Sequence, residues 1–295
     1  MKIIRNKNKK GIILASIAAI CYGMNPLLVL PMYKCGIDSN SALFYRYFLA
    51  VIIYGLVIKF INKKSLLIPK NSIFPLFIMG LLFSLSSLFL FLSFNYIDAG
   101  IACTILFSYP IFVAILMNLF YREKITKTTI LSLILCSIGI VLLNNSTNST
   151  LNLKGIIYVL IASLSYAIYI VGIKNINSIK HIKIDIISFY VMLFGLFVYI
   201  VNLGFCTHLK ILNTPFLWLC AIGLAIIPTI ISLETLGAAI KLVGSTKTAI
   251  LGCLEPLTAL FFGVIIFHEQ ITLKMTFGII LILLAVIIII LKKNS

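Results

Sequence analysis

Long apolar stretches, separated by short polar ones, recur along the whole chain of 295 residues. Each is 16–26 residues long, close to what an α-helix needs to cross about 30 Å of hydrocarbon. The pattern therefore predicts an all-α integral membrane protein with ten membrane-spanning helices, numbered here as spans 1 to 10. They cover residues 11–31, 42–61, 73–95, 99–119, 128–143, 155–173, 185–204, 215–240, 246–267 and 273–291.

Composition supports a membrane protein and argues against an enzyme. The chain is 62% hydrophobic and 11% charged, which no soluble domain requires. It contains no Walker A sequence, glycine-rich nucleotide loop, zinc-binding His-Glu-x-x-His or nucleophile elbow. Its seven cysteines have no metal-ligand spacing. We therefore predict no catalytic residue, no metal and no cofactor, and expect any transport to run downhill or on a gradient.

The sequence repeats itself at about half its length. In two places a Pro is followed thirteen residues later by a Glu-x-Ile-Thr segment, and the two places are 146 positions apart. A Lys-Gly-Ile-Ile segment also occurs twice, 144 positions apart. The paired segments are Pro110 with Glu123-Lys124-Ile125-Thr126, Pro256 with Glu269-Gln270-Ile271-Thr272, and Lys10-Gly11-Ile12-Ile13 with Lys154-Gly155-Ile156-Ile157. We predict two five-helix repeats, residues 1–145 and 146–295.

The odd number of spans in each repeat determines how the repeats are related. If span 1 runs from inside to outside, span 6 must run from outside to inside. The repeats are then inverted about an axis in the membrane plane, around a central cavity. When the two halves exchange conformations, the protein reaches a second arrangement of similar energy that opens to the other side. Inverted repeats therefore favour alternating access.

The charge of +17 is predicted to orient the protein in the bilayer and not to bind nucleic acid. With the N-terminus placed in the cytoplasm, 19 of the 24 Lys and Arg residues fall on the inner side. This positive-inside bias predicts that both termini are cytoplasmic. The abundant Lys, Ile and Asn favour a bacterial source, and therefore a multi-pass protein of the bacterial cytoplasmic (inner) membrane. The remaining five basic residues are Lys34, Arg46, Lys154, Lys210 and Lys274.

Several motifs carry a family resemblance over essentially the whole chain. They are Tyr22-Gly23-x-Asn25, Tyr45-Arg46-Tyr47-Phe48, Ser93 through Gly100 leading to Ser108-Tyr109-Pro110, and Leu254-Glu255-Pro256 followed by Phe267-His268-Glu269 and Gly278. In these motifs the chain resembles the EamA-type ten-helix transporters of the drug/metabolite transporter superfamily. The resemblance implies a secondary transporter of small metabolites.

Two carboxylates inside predicted spans require an explanation, because a charge in hydrocarbon costs about 2.5–3.5 kcal/mol. Glu255 lies in span 9 and Glu234 in span 8, at similar predicted depth. Both could bind a substrate ammonium or take a proton, which makes protons candidate co-substrates. The alternatives are structural: Glu255 could form a hydrogen bond that fixes the kink at Pro256, and Glu234 could pair with Lys241.

Other polar groups in the spans are candidates for lining a substrate cavity. The predicted substrate-binding residues are Tyr22, Asn25, Ser84, Ser108, Tyr109, Tyr166, Tyr169, Ser232, Glu234 and Glu255. The alternative for each Ser is a hydrogen bond to its own or a neighbouring helix. Pro110 and Pro256 are predicted gating hinges, or else static kinks. Arg46 at the outer end of span 2 is expected to pair with Asp98 on the surface, and the alternative is a role in substrate recognition.

The sequence thus predicts a transporter that moves a small organic metabolite across the membrane by alternating access. The interior carboxylates favour export of amino acids or related amines. Two alternatives stay open: a flippase or scramblase for lipids or lipid-linked carriers, and an exchanger of phosphorylated metabolites or nucleotide sugars. We expect a small-molecule substrate, a lipid bilayer as surroundings, and a monomer or homodimer.

Overall fold

The computed structural model of the protein describes residues 2–93, 95–97, 99–143, 152–267 and 272–291. All regular structure in these residues is helical, as the sequence predicts. The α-helices are α1 (Lys2–Gly23), α2 (Asn25–Lys34), α3 (Ser39–Leu56), α4 (Lys70–Ser93), α5 (Ala99–Leu106), α6 (Tyr109–Tyr121), α7 (Lys127–Leu143), α8 (Leu153–Asn175), α9 (Ile184–Asn202), α10 (Pro215–Ala225), α11 (Ser232–Val243), α12 (Ser245–Leu251), α13 (Leu254–Phe267) and α14 (Leu273–Leu291). Two π-helical segments, Val57–Ile61 and Ile226–Ile231, continue α3 and join α10 to α11.

The helices reproduce the predicted spans. Within the described residues, nine helical stretches are long and apolar enough to cross a membrane by length and composition. The tenth, α7, is apolar but shorter, as expected for the fifth span. Spans 1, 2, 4, 8 and 9 each consist of more than one helical segment.

Three of these spans are broken immediately before a proline. The interruptions lie at Met24, at Phe107–Ser108 and at Gly252–Cys253, so that Pro26, Pro110 and Pro256 fall in the first turn of the next segment. The first four N–H groups of a helix have no intrahelical partner, so a proline there removes no hydrogen bond. Pro110 and Pro256 therefore each begin a new segment, and neither removes a hydrogen bond from a continuous helix.

Contacts between loops define two ends of the bundle. At one end, Lys64 pairs with Asp185, Ser72 Oγ donates to the Ser178 carbonyl at 2.7 Å, and Lys241 Nζ donates to the Ile182 carbonyl at 2.6 Å. We call this the basic end. At the opposite end, Lys210 Nζ donates to the Gly36 carbonyl at 2.7 Å. Successive spans therefore run up and down between these ends.

Spans 4 and 9 pack tightly at one end only. At the basic end, α6 packs on α12, all of whose residues are buried. Toward the opposite end, α5 packs on α8 and α4, whereas α13 packs on α1 and α2. No comparable packing joins α5 to α13 in the described part of the chain. The bundle is thus closed at the basic end and separated between α5 and α13 at the other.

Spans 5 and 10 form a pair beside this centre. Helices α7 and α14 pack through Gly139 and Gly278, and a Cβ built on Gly278 would lie 2.6 Å from the Gly139 carbonyl oxygen. Glycine is required at both positions because the two backbones approach so closely. The outward faces of both helices carry exposed apolar side chains, suited to lipid.

Candidate functional site

Arg46 lies in the interior of the bundle. Its side chain is 5% exposed and joins three spans. Nε donates to Thr229 Oγ1 at 2.6 Å, Nη1 to Asn25 Oδ1 at 3.1 Å, and Nη2 to the Pro228 carbonyl at 3.0 Å. The expectation of a surface ion pair is therefore wrong for Arg46, and Asp98 lies outside the described residues.

The π-helical segment Ile226–Ile231 explains how span 8 receives the guanidinium. Thr229 Oγ1 donates to the Leu224 carbonyl, five residues back, at 2.7 Å, and accepts from Arg46. The wider π-helical turn directs both the Thr229 hydroxyl and the Pro228 carbonyl toward Arg46. Single π-turns of this kind are frequent at functional sites.

The guanidinium retains binding capacity. Arginine has five N–H donors, and three of those on Arg46 are used within the described residues. One N–H on each Nη takes no part in these three bonds, and the Tyr22 hydroxyl lies close to the guanidinium. The planar group also lies over the Tyr22 ring at 5.2 Å and the Tyr47 ring at 5.9 Å. Such a cation can hold a planar anion, above all a carboxylate.

Glu255 supplies the opposite charge. It lies in the first turn of α13, half-buried, next to the break in span 9. Its carboxyl lies within the range of the Arg46 charge but forms no ion pair with it in the described part of the chain. It accepts no hydrogen bond from the described residues. Gly23 lets span 1 approach this point, because a Cβ there would lie 2.5 Å from the Glu255 carbonyl oxygen.

The breaks in spans 4 and 9 contact each other directly. The Tyr109 hydroxyl donates to the Ala249 carbonyl at 3.3 Å. It also fills the space that a side chain at Gly252 would occupy. Tyr109 is 3% exposed, so this contact is sealed. The contact between Tyr109 and Ala249 lies nearer the basic end than Glu255 does. It closes the bundle between Glu255 and the basic end.

Aromatic side chains form a continuous wall beside the charged pair. Tyr166 is half-buried and contacts Tyr109, with ring centroids 4.8 Å apart, and stacks on Tyr169 at 6.1 Å. Phe83 joins Tyr169 to Tyr47, which packs on Tyr199 at 4.9 Å. Tyr166 faces the centre, whereas Tyr169, 1% exposed, supports it from behind.

The predicted serines have structural surroundings. Ser232 Oγ donates to the Ala18 carbonyl at 3.0 Å and so ties span 8 to span 1. Ser108 Oγ lies 2.9 Å from Ser163 Oγ and joins spans 4 and 6. Ser84 is fully buried against Gly195 and Tyr47. The contacts of Ser232 and Ser108 match the alternative that a serine bonds to a neighbouring helix, whereas Ser84 Oγ has no hydrogen-bond partner in the described residues.

Glu234 lies at a different level from Glu255. Its neighbours are Tyr54 and, next to Tyr54, Asp185. Five residues separate Glu234 from Thr229, which places it about 7 Å nearer the basic end along α11. The expected ion pair with Lys241 is wrong, because Lys241 Nζ donates to the carbonyls of Lys180 and Ile182. The two carboxylates therefore have different surroundings.

The structure thus brings Tyr22, Asn25, Tyr109, Tyr166 and Glu255 together with Arg46. The predicted substrate-binding residues did not include Thr229 or Ser87, although both are polar residues within predicted spans. The Ser87 hydroxyl lies beside that of Tyr22. The exposed thiol of Cys103 near Glu255 was not predicted. We call the group formed by Tyr22, Asn25, Arg46, Tyr166, Thr229 and Glu255 the central site. It presents one cation and one anion within an aromatic frame, between membrane-spanning helices.

A bundle of apolar spans around a small polar centre defines the class of multi-pass membrane transporters. Residues 9–145 and 153–291 each match the EamA-like transporter family. The chain belongs to this family, as its sequence motifs indicated. His268, Glu269, Gln270 and Ile271, which belong to those motifs, lie outside the described residues.

Relatives share this class without a stated substrate. An uncharacterized transporter of Archaeoglobus fulgidus is 24% identical over 95% of this chain and 98% of its own. One of Clostridium kluyveri is 25% identical over 95% and 93%. Another from Archaeoglobus fulgidus is 36% identical, over 44% of each chain. A crystal structure aligns with a TM-score of 0.80 at 13% identity, over 95% and 96% of the two chains, which shows a shared fold.

Proposed function

We propose that this EamA-family protein is a secondary transporter of amino acids or closely related zwitterions, which works by alternating access between two inverted repeats. The observation that carries the proposal is that Arg46 and Glu255 bring groups of opposite charge to the same central site. The Arg46 guanidinium suits a substrate carboxylate, and the Glu255 carboxylate suits its ammonium. A zwitterion would thus satisfy both charges at once.

Alternating access is supported by the arrangement of spans 4 and 9. Their segments pack together at the basic end through Tyr109 and Ala249 and lie apart at the opposite end. An exchange of these two arrangements would expose the central site to the other side. The breaks before Pro110 and Pro256 supply joints at which such a rearrangement could occur.

The remaining features of the proposal come from the charge distribution. The positive-inside rule places the basic end in the cytoplasm of a bacterial cell, so the central site would open outward in this structure. Export to the outside is the direction that we propose. A phosphorylated substrate is disfavoured because the Glu255 carboxylate beside Arg46 would repel a dianion.

Substrate chemistry can be tested with purified protein in proteoliposomes. We would measure counterflow of a labelled amino-acid panel, with competitors that lack either the carboxylate or the ammonium. Arg46→Lys loses the planar set of N–H donors and Glu255→Gln loses the negative charge, so each should weaken competition by the intact amino acid at least about tenfold. Arg122→Gln and Glu123→Gln, at exposed positions of the basic end, are matched controls.

The outcomes distinguish the alternatives. Equal inhibition by amino acids and by their amine analogues would contradict carboxylate recognition at Arg46. Failure of every panel member to exchange, in protein that is folded by thermal unfolding, would overturn the amino-acid proposal. The same liposomes would then be assayed for scrambling of labelled phospholipid, which tests the lipid alternative.

A further inference from the structure

The helical segments beside the breaks in spans 4 and 9 occupy corresponding positions in the two halves of the chain. The offset of 146 that relates Pro110 to Pro256 also relates Ala99 and Ser245, the first residues of α5 and α12. By the same offset α6 corresponds to α13. The packed pair of α6 and α12 at the basic end therefore has α13 and α5 as its counterpart, and these two helices are separated at the opposite end.

Other contacts are formed in both halves. Lys64 and Lys210 are also 146 positions apart, and each lies in the loop after the second span of its half. Lys64 pairs with Asp185 at the basic end, and Lys210 Nζ donates to the Gly36 carbonyl at the opposite end. An exchange of conformations between the halves leaves such duplicated contacts in place. It changes only the contacts that one half lacks, and the packing of α6 on α12 is of that kind.

The offset also identifies the residues that meet when α5 packs on α13. At the basic end the Tyr109 hydroxyl donates to the Ala249 carbonyl and fills the space beside Gly252. The counterparts of these three residues are, in the same order, Glu255, Cys103 and Leu106. A large tyrosine faces glycine in one contact, and a shorter glutamate faces leucine in the other. Swaps that conserve volume in this way allow both contacts to pack well.

The exposure of the counterparts agrees with an opening between α5 and α13. Ala249 is 1% exposed, whereas its counterpart Cys103 is exposed. Val113 on α6 is 0% exposed, whereas its counterpart on α13, Ala259, is half-buried. Packing of α5 on α13 would therefore bury the Cys103 thiol, so the reactivity of this thiol reports whether the opening is closed.

The two contacts differ in charge. Tyr109 closes the basic end with a neutral hydroxyl, whereas its counterpart Glu255 carries a carboxylate. The nearby Arg46 guanidinium is held by three hydrogen bonds to spans 1 and 8, and Glu255 has no ion-pair partner in the described part of the chain. Covering this carboxylate with Leu106 would bury an anion under an apolar side chain, which is costly without a cation beside it.

We propose that α5 and α13 form a gate at the opposite end, which closes over the central site when a bound ammonium group compensates the charge of Glu255. In the closed gate Leu106 covers Glu255 together with the ammonium group. A ligand without an ammonium group leaves the gate open. This gate rests on the alternating access proposed above, but its dependence on the charge at position 255 is measurable without any substrate.

The Cys103 thiol measures this gate in the full-length protein. In a Cys35→Ser background in lipid nanodiscs, without amino acids, a water-soluble methanethiosulfonate reagent is applied, and modification of Cys103 is followed by mass spectrometry of its peptide. Glu255→Gln removes the charge and should close the gate, which slows modification at least about tenfold. Glu255→Asp keeps the charge and should react at the rate of the background protein. Glu123→Gln, which removes an exposed acid at the basic end, is the matched control.

Two outcomes of this comparison would overturn the gate. One is an unchanged rate in Glu255→Gln protein that is folded by thermal unfolding. The other is an equal slowing in Glu255→Gln and Glu255→Asp, because the charge would then not be what holds the gate open.

A second comparison uses no variant of Glu255 and therefore decides the question even if Glu255→Gln does not fold. An amino acid should slow modification of Cys103, whereas the matching carboxylic acid without an ammonium group should not. Equal protection by the two ligands would contradict an ammonium-dependent gate. If Glu255→Gln slows modification but no amino acid does, the gate is supported and the amino-acid proposal fails.

Discussion

The hydroxyl of Tyr109 donates to the carbonyl oxygen of Ala249, 3.3 Å away, and so joins the break in span 4 to the break in span 9. The two residues are 140 positions apart and belong to opposite halves of the chain. Both breaks precede a proline that begins a new helical segment. This contact is consequently where one half of the protein closes against the other at the basic end.

Gly252→Ala tests the tightness of this closure. The added methyl group would collide with the Tyr109 hydroxyl, and it would lie 3.0 Å from the Ala249 carbonyl oxygen. We expect the closed arrangement to lose about 1–3 kcal/mol, measured as a lower thermal unfolding temperature. The double variant with Tyr109→Phe should recover part of the loss, because the colliding oxygen is gone.

A matched control for that substitution is Gly237→Ala, whose methyl group would meet only the flexible side chain of Ile184, 3.2 Å away. It should change the unfolding temperature less than Gly252→Ala does. Equal effects of the two substitutions would show that the Tyr109 contact has no special role in closure.

Thr229→Val tests the anchoring of Arg46. Valine has a similar volume but removes the acceptor for Arg46 Nε, on a side chain that is 1% exposed. An unsatisfied buried donor costs about 1–3 kcal/mol. We expect lower stability and weaker binding of the panel amino acid, measured by thermal unfolding and competition counterflow. Thr229→Ser keeps the hydroxyl and should behave nearly as the wild type; an equal loss in both variants would exclude this hydrogen bond as the cause.

The course of the helices through the membrane was predictable from the sequence, because each span is a long apolar run. The predicted start of span 2, at residue 42, was too late in the chain. Asp38 caps α3 by accepting from the Ser41 backbone N–H at 3.2 Å, so the helix begins at Ser39 and not at residue 42. Arg46 is then about two turns inside the span. An aspartate before Ser-Asn-Ser is a recognisable capping signal that would have corrected its position.

Contacts between distant segments could not be read from local patterns. Arg46 and Thr229 are 183 positions apart, and nothing in either segment specifies the other as its partner. Lys241 illustrates the same limit: helical spacing favoured Glu234, but tertiary packing brings the carbonyls of the 180–182 loop within reach. The repeat and the prolines located the breaks in spans 4 and 9. Only the packing showed that the breaks touch.

Removing the charge of Lys64 should destabilise the protein more than removing the charge of its partner Asp185. The Asp185 side chain is 5% exposed and that of Lys64 36%. Lys64→Gln leaves a buried carboxylate without its cation, which should cost about 1–3 kcal/mol. Asp185→Asn leaves a lysine that can turn to water, so its cost should be smaller. Thermal unfolding of the two variants checks this order, and a larger loss for Asp185→Asn would contradict it.

Cys103 offers a direct probe of the opening between α5 and α13. Its thiol is exposed, and it lies near enough to Glu255 for electrostatic interaction. In a Cys35→Ser background, which removes the other exposed thiol, a water-soluble methanethiosulfonate reagent should modify Cys103. An amino acid bound in the central site should slow that reaction at least about tenfold at saturation, since it occludes the path to the thiol. If only a lipid-soluble reagent modifies Cys103, its thiol faces lipid and not water. If amino acids do not change the rate of modification, the path to Cys103 does not pass through the central site.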